Sequence, residues 1–121
     1  MKIEIPMRLP SLNEYIDANR ISRGKWNKGN QMKQDTQRDI TPYLKKLGTY
    51  SNPVKINFYW IEPDRRRDLD NVCFAKKFIL DAMVQAGIIS NDNRKHVTGF
   101  TDYFGYDKGN PKVIVEVIED E

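Results

Sequence analysis

Residues 63–96, PDRRRDLDNVCFAKKFILDAMVQAGIISNDNRKH, constrain this chain more than any other stretch. Arg65, Arg66 and Arg67 run straight into Asp68-Leu69-Asp70-Asn71, a long apolar-rich segment follows, and a polar turn containing Asp92 closes it. Cations beside closely spaced carboxylates suit a hydrophobic core poorly. They suit a site that holds a divalent metal against a phosphate. Upstream, residues 53–61, PVKINFYWI, place Val54, Ile56, Phe58 and Trp60 at every second position, the pattern of a strand. Any fold for this chain has to deliver a strand end, a charged junction and a helix in direct succession.

Spacing gives the local geometry. Asp68 and Asp70 are two apart, so in extended chain they share one side, with Leu69 opposite. The following segment reads as one helix over 71–86, with Asp70 or Asp68 as N-cap and Gly87 just past its end. At roughly 100° per residue from Asp70, Lys77 falls at about −20° and Asp81 at about +20°, on one narrow polar face. Phe74, Phe78, Ala82, Ala75, Ala86, Ile79, Val72 and Met83 spread from about 40° to about 220°. The helix is expected to be mostly buried, with a polar stripe that starts at the carboxylates. Each feature also has a bland explanation. The arginines can pair with the aspartates, Lys77 can pair with Asp81 at i, i+4, and Asp92 can be a turn former.

The string RRRDLDN, a helix carrying a lysine and Asp81-Ala82, then Ala86-Gly87 and an acidic turn around Asp92, resembles the RusA-type Holliday junction resolvases. Pro10-Ser11-Leu12-Asn13-Glu14-Tyr15 is also similar to that family's opening. The resemblance implies a single RusA-like endonuclease domain over 1–121, dependent on Mg²⁺ with Mn²⁺ as an alternative, that acts as a homodimer on four-way DNA junctions in recombination and repair. It implies a metal site of Asp68, Asp70 and Asp92, completed by a helix lysine. Lys76 and Lys77 both offer that lysine, and the helical angle with Asp70 favours Lys77. The helix before Asp81 is longer than in the family, and Asn91-Asp92 stands where two adjacent aspartates are common. Two other readings stay open: a non-catalytic or degenerate DNA-binding protein of the same fold, and a metal-dependent phosphodiesterase acting on another branched DNA.

Charge is distributed unevenly. Residues 1–67 hold 14 Lys/Arg and 7 Asp/Glu (+7), whereas residues 68–121 hold 6 and 10 (−4). A basic half meeting an acidic half at the DLD motif fits a phosphate-binding surface that leads to a metal site. Residues 2–8 alternate as a strand, and 14–47 reads as helical in two parts. Between 19 and 33 the helical pattern is poor, broken by Gly24 and Gly29. Arg20, Arg23, Lys25, Lys28 and Lys33 with Trp26 would make this loop a nucleic-acid arm beside Arg65, Arg66 and Arg67. Residues 97–106 and 112–119 read as strands joined in a hairpin by 107–111.

The expected fold is therefore α/β, a small single domain in β-α-β-α-β-β order, with a mixed sheet and helices mainly on one face. Lone Cys73 forms no internal disulfide, no apolar run is long enough to span a membrane, and the start is unlike a signal peptide. A cytoplasmic protein without membrane attachment is expected.

Overall fold

The computed structural model of the protein describes residues 1–119. Its elements run β1 (Lys2–Ile5), α1 (Leu12–Asn19), β2 (Ser22–Arg23), β3 (Trp26–Asn27), α2 (Lys28–Leu44) with a 3₁₀ turn (Lys45–Leu47), β4 (Val54–Glu62), α3 (Leu69–Cys73), α4 (Lys76–Gln85), β5 (Val97–Tyr106) and β6 (Lys112–Glu119). β4 is the strand the others are built on. Val54, Ile56, Phe58 and Trp60 point to one side and are buried. A strand so apolar on one face needs ladder partners on both edges and helices above it. It has both.

The main sheet has the order β1-β6-β4-β5. β4 pairs parallel with β5 and antiparallel with β6, and β6 pairs antiparallel with β1. Ile3, Ile5, Val113, Val115 and Val117 join the β4 side chains in one core with Ile40 and Leu44 of α2 and Phe78, Ile79, Ala82 and Met83 of α4. The helices thus cover one face of a mixed sheet, the α/β arrangement expected. The expected hairpin over 107–111 is not formed, because β5 and β6 lie on opposite sides of β4. That segment instead passes the end of β4, where Asp107 N donates to Glu62 O at 2.8 Å. The physical reason is β4's apolarity: placing it between two strands buries it better than placing it at an edge.

Two local expectations also change. The poorly patterned stretch 19–33 is a tiny hairpin, β2–β3, that runs directly into α2. Gly24 makes its turn at φ +58°. Gly29 does not break the helix; it lies buried in the first turn of α2, where a Cβ would sit 1.9 Å from Asn19 Oδ1. Close packing on α1 accounts for that glycine. The first strand ends at Ile5 before Pro6, so it does not reach residue 8.

The helix expected over 71–86 is divided into α3 and α4. Ala75 N donates to Val72 O, Lys77 N to Phe74 O and Phe78 N to Ala75 O, i→i−3 bonds of 3.3, 3.0 and 3.0 Å. No proline or glycine causes this tightening. Tyr15 of α1 packs against Phe74 and Phe78 at ring distances of 5.4 and 5.6 Å, and Asn13 N donates to Asn71 Oδ1 at 2.9 Å. These contacts dock the short first half on α1 while α4 packs on the sheet. Gly87 follows the helix at φ +74°, as its position past the end requires.

Candidate active site at the strand–helix junction

β4 delivers the chain to Pro63–Arg67, and α3 begins immediately after Asp68, its N-cap residue with φ −65° and ψ 155°. The Asp68 side chain makes no capping bond, and the residue is exposed. Asp70 Oδ1 accepts from the next amide, Asn71 N, at 2.9 Å. Both aspartates are exposed, as is Leu69 between them at 58 %.

The arginines do not neutralise them. Arg67 donates to Leu9 O at 3.0 Å and pairs with Glu14 and, at 3.5 Å, with Glu62. Arg66 is held by Asp64, its amide at 3.0 Å and its guanidinium at 3.8 Å. Arg65 lies over the Tyr106 ring, 4.7 Å from the centroid. Among the described residues, no cation comes within ion-pair distance of Asp68 or Asp70. Arg67 is thus a structural anchor, whereas Arg65 and Arg66 keep exposed charge.

A second acidic group lies further along α4. Lys77 Nζ is 3.1 Å from Asp81 Oδ1 and 3.8 Å from Asp92 Oδ2. Lys33 of α2 approaches the other Asp81 oxygen at 3.1 Å, in a geometry that closes the charge pair without a well-aligned hydrogen bond, and that oxygen is buried. The i, i+4 pair anticipated from spacing is therefore present, and it continues as a ladder Lys33–Asp81–Lys77–Asp92. The hydrogen bond to Asp81 is the main reason the Lys77 ammonium holds its proton above the usual lysine range, with the charges of Asp81 and Asp92 adding to it and burial opposing.

The helix break brings a group that sequence reasoning missed. Three tighter steps of about 120° rather than about 100° turn the helix an extra ~60°. That extra turn brings Lys76 nearer the Asp70 direction, on the opposite side from Lys77. Lys76 Nζ donates to Asp102 Oδ2 at 2.7 Å and lies over the Phe58 and Phe100 rings at 5.4 and 4.8 Å. Trp60 Nε1 donates to the other Asp102 oxygen at 2.9 Å. Cys73 sits nearby, and burial first, then the Asp102 charge, raises its thiol pKa. A lone acid in the otherwise uncharged strand VTGFTDYFGY was the available signal; the parallel register that sets Asp102 opposite Phe58 was not readable.

Of the anticipated arm, Lys33 is committed to Asp81. Arg20 makes only a loose 3.6 Å pair with Asp17, both 75 % exposed. Arg23, Lys25 and Lys28 are exposed, and Arg23 and Lys28 flank an open depression with Ile21 and Trp26.

Asp68 and Asp70 fit a hard divalent cation in chemistry and charge: they are neighbouring oxygen donors with no cation of their own. Among the described residues, no three His, Cys, Asp or Glu side chains are gathered closely enough to hold a metal ion. Asp92 is joined to Lys77 instead. No helix among the described residues is long and apolar enough to cross a membrane. No family model and no curated protein sequence matches the chain.

Proposed function

We propose that the chain is a metal-dependent endodeoxyribonuclease of the RusA resolvase type, which cuts four-way DNA junctions by paired nicks. One observation carries the reading: Asp68 and Asp70 stand unneutralised at a strand–helix junction although three arginines precede them, Arg67 being tied to Glu14 and Glu62 while Arg65 and Arg66 keep exposed charge that reaches neither carboxylate. Surface carboxylates left without available cations suit binding of an added one. Asp68 and Asp70 would hold Mg²⁺ or Mn²⁺, and Asp92 would join them as third ligand on leaving its 3.8 Å pair with Lys77. The bound ion would polarise the scissile phosphate and acidify a water for in-line attack.

The chain's own residues do the rest. Arg65 and Arg66, with Arg20, Arg23, Lys25 and Lys28, draw the phosphate backbone to the junction. Lys77, between Asp81 and Asp92, would be the compact cation that meets a phosphate oxygen or orients the attacking water. A two-fold dimer supplies the second nick through one self-complementary interface. The sheet face away from the helices, where Tyr59 stacks on Tyr103 at 4.8 Å beside Ile61 and Ile114, supports a place for the second copy.

The test is cleavage of a labelled four-way junction with and without Mg²⁺, beside duplex and flap DNA, with light scattering on the same sample. Mg²⁺-dependent paired nicks selective for the junction are expected from a dimer. Cutting of flaps in preference to junctions selects another branched substrate. The unassembled ligand group favours one second reading, a DNA-binding relative without catalysis. Junction binding with no cutting in either metal selects that reading.

A further inference from the structure

Beside the DLD motif, on the far side of Leu69, a cleft of about 340 Å³ opens between the β4–α3 junction and β5. That volume lies at the lower end of the ~300–1,000 Å³ usual for small-molecule sites. Its apolar lining is Trp60, Leu69, Val72, Phe104 and Tyr106. Trp60 and Val72 are buried, whereas Leu69, Phe104 and Tyr106 are exposed at 58, 38 and 55 %. Large apolar side chains held out on one rim are not needed for the core. They leave an apolar opening in which the Phe104 and Tyr106 rings are accessible.

The polar groups decide what suits the cleft. Glu62 is already compensated, with Arg8 at 3.0 Å and Arg67 at 3.5 Å. Asp64 is turned to the Arg66 amide. The remaining cation of the lining is Arg65, which lies over the Tyr106 ring; Arg66, next in sequence and 90 % exposed, pairs loosely with Asp64 at 3.8 Å. Arg65 lies 4.7 Å from the Tyr106 centroid, so a base entering the cleft takes its place on that exposed ring or stacks beside it. An apolar, partly aromatic lining with Arg65 beside it matches a nucleobase whose phosphate stays outside with the cation. A base stacked inside a duplex is covered on both faces, so the fitting ligand is an unpaired or unstacked one.

We propose that the Leu69–Phe104–Tyr106 cleft binds one unstacked nucleobase of the DNA strand. Leu69 lies between Asp68 and Asp70 in sequence, so a base seated there is anchored at the same turn as the carboxylates. The proposal rests on the nucleic-acid reading for the class of ligand and adds the place where an unpaired base is gripped. It makes a strand with exposed bases a better ligand than its phosphates alone.

The test measures binding of a short fluorescent single strand against the same strand made abasic, both with all phosphates, without metal. Wild type should bind the intact strand about tenfold tighter. Phe104→Ala combined with Leu69→Ala should shrink that preference to about twofold while leaving abasic-strand affinity, which Arg65 on the Tyr106 ring serves, unchanged. Both residues are exposed, and circular dichroism checks that the double variant is folded. Equal binding of intact and abasic strands by wild type overturns the cleft and leaves DNA binding standing. A preference that survives the double substitution overturns the placement. No binding to either strand, or to a four-way junction, overturns the cleft and the nucleic-acid reading together.

Discussion

Asp68 and Asp70 lie exposed at the start of α3 with no cation in range among the described residues, whereas Asp81 and Asp92, further along the same segment, are threaded together by Lys33 and Lys77. The difference separates two jobs a carboxylate can have. At Asp81 the charge has a buried oxygen and joins α2 to α4, so it belongs to the fold. Asp68 and Asp70 are exposed and, among the described residues, contribute no ion pair to stability. Their presence beside an arginine run is explained by a ligand better than by the fold.

The largest effect expected is a split between activity and stability at these two places. Asp70→Asn should lower Mg²⁺-dependent junction cutting by at least about a hundredfold. It should change unfolding free energy by no more than about 0.5 kcal/mol, since it removes an exposed charge. Junction binding should hold or improve, a negative charge near phosphate having been lost. Asp81→Asn should do the opposite, costing about 1–2 kcal/mol in urea titration because two lysines lose their partner. Full cutting by Asp70→Asn removes the site assignment. A silent Asp92→Asn together with a dead Asp81→Asn would transfer the third-ligand role to Asp81.

Next in size is the Asp102 group, which sharpens the comparison because its charge is as enclosed as that of Asp81. Asp102→Ala leaves both the Lys76 ammonium and the Trp60 indole N–H without a partner. A loss of about 2–3 kcal/mol is expected. Asp102→Asn keeps an acceptor for Trp60 and should lose about half of that. Identical unfolding midpoints for wild type and Asp102→Ala would show the group to be solvated in solution.

How much of this was legible in the chain follows from range. The alternation of Val54, Ile56, Phe58 and Trp60, the glycine stop at Gly87 and the Lys77–Asp81 spacing are local, and each has the role its spacing implies. Sheet order is not local. Nothing in 107–111 announces that β5 and β6 will flank β4 instead of each other. The helix break was hidden for the same reason, since Tyr15 and Asn13, more than fifty residues upstream, dock its first half. Gly29 looked like a breaker because its reason, the Asn19 side chain, lies across a helix contact. At the site, residue types were readable but their partners were not: Arg67 reads as a phosphate contact until Glu14, Glu62 and Leu9 claim it.

That reassignment gives a smaller effect, in the arginine run itself. Arg65→Ala and Arg66→Ala should each weaken DNA binding across sequences and flatten the slope of log K against log salt by about 1. Arg67→Ala should act on the fold, lowering the urea midpoint and leaving the slope nearly unchanged. A slope change confined to Arg67→Ala would reverse the division between anchor and exposed cations.

The smallest effect is in alkaline solution and tests whether the Lys77 ladder contributes to folding at all. Lys77 keeps its proton more tightly in the folded chain, chiefly through Asp81, than at the ordinary lysine value of 10.5. A folded-state pKa raised above the unfolded one gives stability that is fully present below the unfolded pKa. That stability is lost as pH rises through the folded pKa. Wild type should therefore lose stability above pH 10.5 more steeply than Lys77→Met, and the two should run parallel below it. Tyr50 and Tyr59, whose pKa values are also raised, chiefly by burial, bend both curves alike and cancel in the difference. The Lys77 side chain is 59 % exposed, so solvent screens the pair and the gap between the curves should be small. Asp81→Asn, with the main cause of the shift removed, should follow the Lys77→Met slope. Curves for wild type and Lys77→Met that stay parallel beyond the lysine range would mean the ladder breaks in solution, and Asp92 would then be as free of cations as Asp68 and Asp70.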